Sequence, residues 1–425
     1  MRPDKIIKMT VKKKIAVIGA GAAGCFCAAN IAEMSQLFDI TVFDITVFES
    51  GAEPMRKLAL TGGGRCNITN TFEGLPSVAS VYPRGANLMK KLFYTFDHNN
   101  TVEWFENHGV ALFAQPDGRV FPESENAMQV VDTLYDILRR NRVSVKTGIR
   151  LQSFTHEGGK FQLFFPEKYP EEFDIMIVAT GGAGKEFIAQ FADHGIEIAD
   201  PVPSLFTFTI NDKIFNQLTG VTIEDVSCSL ASTKFSAEGS ILVTHWGLSG
   251  PAVLKLSSYA ARYLAENKYT SFVIVNWLNT NEEEARTMLL DLQKRNPQKG
   301  IVAAHPPKIT NRLWQYFLSK CGIEESRRWA EVSKKSLNRL VSCLISDNYK
   351  VQGKGRYRDE FVTCGGVSLS SVNGKTLESK SVQNLYFIGE ILDIDAVTGG
   401  FNLQAAWTTG YTVATSVVSS QSNQN

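Results

Sequence analysis

One join near the start of the chain constrains the fold more than any other feature. Residues 14–24 read Lys-Ile-Ala-Val-Ile-Gly-Ala-Gly-Ala-Ala-Gly, a β-rich apolar run that meets a GxGxxG pattern at Gly19, Gly21 and Gly24, and an alanine-rich helical stretch follows over residues 22–34. A strand that turns at once into a helix needs a residue without a side chain at the turn, here Gly19. The helix packs closely on that strand only if its first turn is thin, here at Gly24. Gly21 leaves the backbone open to an anion, and the helix start supplies N–H groups and the positive end of a dipole. Between a strand and a helix, the motif predicts a doubly wound α/β fold of the Rossmann type. A dinucleotide pyrophosphate would rest on Gly19, Gly21, Ala22, Ala23 and Gly24. A glycine turn in some other α/β protein is the plainer alternative.

A second strand in such a fold ends in an acid that accepts from a ribose hydroxyl. Residues 38–49 offer two, because Phe-Asp-Ile-Thr-Val occurs twice in tandem, followed by Phe48-Glu49. Gly24 to Glu49 spans 25 positions, and removing one copy brings it to 20, near the usual gap of about 20. Glu49, with Ser50 after it, is therefore the expected ribose site, the first copy is an insertion, and Asp44 is the rival. An acid here suits an unphosphorylated ribose, as in FAD or NAD. Residues 61–70 then read Thr-Gly-Gly-Gly-Arg-Cys-Asn-Ile-Thr-Asn. Gly62, Gly63 and Gly64 permit backbone angles barred to other residues. Arg65 and Asn67 bring donors, and Arg56 and Lys57 add positive charge. As a bare pattern, a glycine-rich surface loop explains this stretch as well as a cofactor cradle.

Glu49, Arg56-Lys57 and Thr61-Gly62-Gly63-Gly64-Arg65-Cys66-Asn67 together resemble the HI0933-like (YhiN or BaiN-like) flavoprotein family. Thr244-His245-Trp246-Gly247-Leu248-Ser249-Gly250-Pro251 is similar to that family's central signature, and residues 386–404 to its carboxy-terminal one. The blocks are far apart and in order, so the resemblance covers nearly the whole chain. Ala396 departs from it, standing where a glycine is expected, and the tandem pentapeptide is a second departure. The resemblance implies FAD, rather than NAD, as the tightly bound cofactor. It extends the expected site to Lys57, Gly62, Gly63, Gly64, Arg65, Cys66, Asn67, Thr180, Gly181, Gly389, Glu390, Gly400, Asn402, Leu403 and Gln404, with Val145 offering backbone groups to the adenine. The residues support this independently. Leu385-Tyr386-Phe387-Ile388 is a late apolar strand ending in Gly389-Glu390, and Gly399-Gly400 precede an alanine-rich helix over residues 403–414 whose start can point amides at a flavin ring.

Length, at 425 residues, suggests two or three domains. The nucleotide-binding pattern occupies residues 1–195 and 361–425. It is interrupted by a β-rich insert over 196–280 and 340–360, with strands read at 204–210, 221–230, 234–243 and 271–276, and by a helical subdomain over 281–339. The family resemblance implies that the insert is β-barrel-like. Lys+Arg 44 against Asp+Glu 43 leaves no basic excess, which argues against a nucleic-acid partner. No apolar run approaches the roughly 20 residues of a membrane span. The basic start runs straight into a strand rather than a signal core. Seven cysteines without a CxxC fit reduced thiols, so a cytoplasmic location is expected.

A flavin carries out hydride or electron transfer itself, and the protein supplies position and access. His245, beside Trp246 and a Gly-Leu-Ser-Gly-Pro turn, is the candidate catalytic acid or base, against the alternative of a packed aromatic corner. Cys66 lacks a CxxC partner and reads as packing. Cys25 and Cys27 do not share a helix face, and His98 and His108 have no ligand spacing, so no metal site is expected. Asp393 and Asp395 read as cofactor contacts or as turn formers. Lys350, Lys354, Arg356 and Arg358 read as a solvated hairpin face rather than a phosphate site. The expected function is an FAD-dependent oxidoreductase acting on a small organic substrate, with NAD(P)H as a transient electron donor. The alternatives are an oxygen-using amine oxidase, a flavin-bound RNA-modifying protein and a non-catalytic FAD sensor. Nothing in the sequence bears on oligomeric state.

Overall fold

A computed structural model of the chain describes residues 12–37, 43–166, 168–355 and 362–422. The first copy of the tandem pentapeptide, and Arg356 and Arg358 of the basic stretch, lie outside the described residues. The chain forms two compact units, one built from residues up to Pro201 and from Thr363 onward, the other from Val202–Val362.

The first unit is organised by five parallel strands. These are β1 (Lys14–Ile18), β2 (Asp44–Phe48), β3 (Ser144–Lys146), β4 (Ile175–Val178) and β5 (Leu385–Phe387), in the order β5-β4-β1-β2-β3. All four neighbouring pairs are parallel, with Val17 opposite both Val47 and Ile177. This is the doubly wound order, with the switch point beside β1. Strands covered on both faces should read as continuous apolar runs, and β4, Ile-Met-Ile-Val, is buried throughout. Helix α1 (Ala22–Leu37) follows β1, and α2 (His98–Asn107) begins at Asp97, whose side chain accepts from the Asn100 N–H in a capping box. Helix α3 (Phe401–Ser422) closes the chain and packs along α1. Phe26 of α1 is the centre of an aromatic cluster, with Trp104 at 4.6 Å and Trp407 at 5.1 Å between ring centroids.

The second unit is a six-stranded antiparallel sheet. Its strands run Phe208–Thr209, Gly247–Ser249, Ser236–Thr244, Thr222–Leu230, Ser271–Asn276 and Asp347–Val351 in spatial order. The residues after the last strand return to the first: the Thr209 N–H donates to the Gly353 carbonyl and the Gln352 N–H to the Thr209 carbonyl, both at 2.9 Å. The sheet therefore closes on itself, which leaves no open edge. Helices Glu282–Arg295, Asn311–Lys320 and Lys334–Ile345 share one apolar core with it, centred on Trp277, Trp314 and Phe317.

Candidate functional site

At the carboxyl edge of the parallel sheet, the loops after β1, β2, β4 and β5 lie side by side. The three glycines of the first loop have different surroundings. A Cβ on Gly19 (φ +112°) would lie 2.4 Å from the Ala179 carbonyl oxygen, and one on Gly24 would lie 2.0 Å from the Gly19 carbonyl oxygen. The fold itself excludes side chains at both. A Cβ on Gly21 meets nothing within 4 Å. Gly21 is thus not needed for packing, and its bareness faces open space at the start of α1. That helix has no acidic residue in its first turn, so its dipole is left for an external anion.

Glu49 stands just past β2 and holds this loop. One carboxylate oxygen accepts from the Ala20 N–H at 2.9 Å, the other from the Gly51 N–H at 2.7 Å and from the Ser50 hydroxyl at 3.3 Å. Lone pairs remain for hydroxyl donors. Asp44 opens the same strand, paired with Lys14 at the opposite end from the loops, and is therefore excluded as the ribose acid. Val145 pairs with Val47, and the next residue's carbonyl, Lys146, accepts from the Glu49 N–H at 2.8 Å. After β4, Gly181 has φ +68°, and the Thr180 hydroxyl is buried without a partner. After β5, Gly389 (φ +70°) lies so close to α1 that a Cβ there would be 2.9 Å from the Ala23 Cβ. The Glu390 carboxylate accepts from the Thr363 N–H at 2.7 Å and lies against Gly182, where an added Cβ would be 3.0 Å away.

The glycine triplet joins this edge through Asn67. A short helix from Arg56 kinks at Thr61, and Gly62, Gly63 and Gly64 all take positive φ. The Asn67 amide donates to the Thr69 carbonyl and accepts from the Gly400 N–H, both at 2.9 Å. Gly400 has no room for more, since its Cβ would sit 2.3 Å from the Thr69 carbonyl oxygen. Asn70 donates to the Gly399 carbonyl at 3.1 Å, and Tyr82 donates its hydroxyl to the Phe401 carbonyl at 2.7 Å. The start of α3 is thereby fixed to the triplet loop.

Several of the expected cofactor residues have their side chains engaged within the protein. Gln404 is fully buried. Its amide oxygen accepts from Thr69 (2.5 Å) and Thr101 (2.9 Å), its amide nitrogen donates to Thr408 (3.0 Å), and its own N–H donates to the Gly400 carbonyl. Asn402 spends its side chain on both backbone groups of Ala396, at 2.9 and 3.0 Å. Ala396 itself is buried and has no positive φ, so the residue at that point needs no glycine. The Arg65 guanidinium lies over the Phe121 ring at 4.5 Å and pairs with Glu125 at 3.3 Å. Cys66 (φ +61°) is buried, and burial pushes its thiol up to about 12 despite a hydrogen bond with Thr61. Lys57, Ser50, Gly62 and Gly63 are exposed, and Leu403 is half-buried. Asp395 is a structural residue, fully buried in a two-pronged ion pair with Arg84. Sequence reasoning missed that pair, the Gln404 network and the Thr363–Glu390 bond. His98 stacks on Phe72, and His108 bonds Glu33 and the Trp104 carbonyl. Among the described residues no cluster of His, Cys, Asp and Glu suits a metal ion. His245 lies in the second unit, exposed, its ring edge-on to Trp246 at 4.3 Å. No described helix is long and apolar enough to cross a membrane.

The fit to a dinucleotide rests on three observations: the open space at Gly21, the unneutralised start of α1 and the unpartnered Thr180 hydroxyl. With the strand order and the acid after β2, they define a dinucleotide-binding protein of the Rossmann class. The chain belongs to the HI0933-like protein Rossmann domain family, which matches residues 13–416, and it is an FAD-dependent oxidoreductase. It is similar to proteins named ribosomal RNA dihydrouridine synthase from Haemophilus influenzae (31% identical, 94% of this chain and 97% of the relative) and Escherichia coli (28%, 96% and 98%). It is also similar to a 3-dehydro-bile acid delta(4,6)-reductase from Clostridium scindens (27%, 94% and 97%).

Proposed function

We propose that this protein is a reductase of carbon–carbon double bonds conjugated with a carbonyl group, drawing its electrons from NAD(P)H. The observation that carries the reading is the close approach of Gly389 to Ala23 in the first turn of α1, beside the open Gly21, with Gly400 tied to the glycine-triplet loop through Asn67. FAD, when bound, supplies two-electron hydride transfer. The N–H groups at Gly21, Ala22 and Ala23 would hold its pyrophosphate. Glu49 would accept from ribose hydroxyls while still bonding Ala20, and Val145 would offer backbone groups to the adenine. Thr180, Gly181 and Glu390 would meet the linker between ring and phosphates, and Gly62, Gly63, Gly64, Gly400 and Leu403 would face the ring. Asn67 and Gln404 act behind them, keeping the two glycine segments in register.

The names of the relatives support the bond type. Dihydrouridine differs from uridine by two hydrogens across a ring double bond conjugated with a carbonyl, and a delta(4,6) 3-dehydro steroid carries the same arrangement. Both reductions need a proton delivered to a carbon of the conjugated system after hydride addition, and His245 is the proposed donor through a ring nitrogen. The uracil ring of an RNA is a second substrate reading, favoured by the names of two relatives against the neutral charge of the chain.

Anaerobic mixing tests this. NADPH or NADH should bleach the flavin absorbance, and a conjugated enone or an unmodified ribosomal RNA transcript should restore it. Restoration by RNA alone selects the uracil reading. Bleaching only by amines, with peroxide released in air, overturns the reductase in favour of an oxidase. His245→Gln is expected to lower turnover about 10²-fold, with bound flavin unchanged.

A further inference from the structure

The second unit holds a pair of thiols outside the proposed flavin chemistry. Cys321 directly follows the helix Asn311–Lys320, and Cys343 lies near the end of the helix Lys334–Ile345. Packing of these helices brings the sulfurs to 3.4 Å, with Cys321 donating to Cys343. That bond holds the Cys343 thiol below its ordinary range and pushes Cys321 up, which favours Cys343 as the sulfur that loses its proton first. Cys343 is only half-buried, whereas the five cysteines outside the pair are buried. Both cysteines are among the residues that line an open cavity of about 750 Å³, together with Lys320, Lys334, Lys335 and Arg339. Lys320 is also paired with the buried Asp347, and Arg339 donates to the Cys321 carbonyl at 3.3 Å, so among the described residues Lys334, Lys335 and Arg339 are the cavity's cations without a carboxylate partner. Gly322, which follows Cys321, takes a positive φ of +68°.

We propose that Cys343 and Cys321 form a redox dithiol that reduces anionic low-molecular-weight disulfides and passes into an internal disulfide. The Cys343 thiolate attacks one sulfur of R–S–S–R, forming Cys343–S–S–R and expelling RS⁻. Cys321 then gives up its proton and attacks the Cys343 sulfur. The bond between Cys343 and R–S breaks, and the second RS⁻ leaves. Two protein thiols are oxidised and one disulfide is reduced; the proton that Cys343 gave to water in forming its thiolate and the proton released by Cys321 are taken up by the two RS⁻ as they leave. The cationic cavity gathers the anionic disulfide by steering that salt screens.

The test uses the full-length flavin-loaded protein with oxidised glutathione as the anionic probe and cystamine as a cationic one. Peptide mapping after quenching by alkylation should find residues 321 and 343 linked, in a chain about 2 Da lighter. Cys321→Ser should stop at a Cys343–glutathione adduct, and Cys343→Ser should show neither product. At low salt the glutathione reaction should run several-fold faster than that of cystamine, with the ratio shrinking in high salt. Absence of the 321–343 link after equilibration with excess oxidised glutathione overturns the dithiol. Equal rates for the two probes at low salt overturn the cationic cavity's role.

Discussion

Replacing Gly21 by alanine puts a methyl group where nothing of the protein lies within 4 Å, whereas the same change at Gly24 puts it 2.0 Å from a carbonyl oxygen. The two variants should therefore fail differently. Gly21→Ala is expected to keep the unfolding midpoint of the flavin-free protein and to lose bound flavin, read as absorbance per mole of protein. Gly24→Ala should lower the midpoint itself, by about 1–3 kcal/mol or more of overpacking. A second residue-scale prediction concerns pH. His108 is desolvated, which opposes its charge, but the Glu33 carboxylate and the Trp104 carbonyl outweigh this and raise its pKa above 6.5. A raised folded pKa gives stability that is complete below the unfolded value and lost as pH rises through the folded one. In denaturant titrations, His108→Gln should therefore cost more at about pH 5.5 than at about pH 8.5. An equal cost at both would show that the ion pair contributes nothing.

At the scale of elements, α3 is tied to the loop around Thr69 by a polar network rather than by apolar packing alone. Gln404→Leu would leave the Thr69 and Thr101 hydroxyls without their buried acceptor. The expected loss is about 2–4 kcal/mol in urea unfolding, with weaker flavin retention, because Thr69 also carries the contact with Gly400. The sequence shows where such dependence is legible. Gly24 declares its role because its clash is with Gly19, five residues back, and Gly19 because a strand-to-helix turn needs glycine there, although the backbone that crowds it comes from Ala179. Glu49 prevails over Asp44 because strand direction decides which acid reaches the ligand edge. Gln404 and Asn402, by contrast, look like ligands in the sequence, since a polar residue in a signature carries no sign of which way it points. Their partners are Thr69 and Thr101, some 300 residues away, and Ala396, which offers only its backbone.

Over the whole molecule, the second unit is one unbroken segment that leaves the first at Pro201 and returns at Thr363. These two crossing points are close, since a Cβ on Gly365 would lie 2.4 Å from the Asp200 carbonyl oxygen. Joining Pro201 to Thr363 through a short glycine-serine linker should leave a protein that still binds FAD with a flavin absorption band. A colourless but folded product would show that the second unit is needed to hold the cofactor. The alternating strands of that unit were readable, but the closure of its sheet was not, because it depends on two backbone bonds at Thr209 that no side-chain pattern encodes. The contact of Gly389 with Ala23 has a consequence for synthesis. A ribosome translates residues 24–388 between these two, so a nascent polypeptide stalled anywhere in that interval has not yet brought them together. Pigment acquisition then reports that synthesis has passed Gly389, and products cut short of it are left pale.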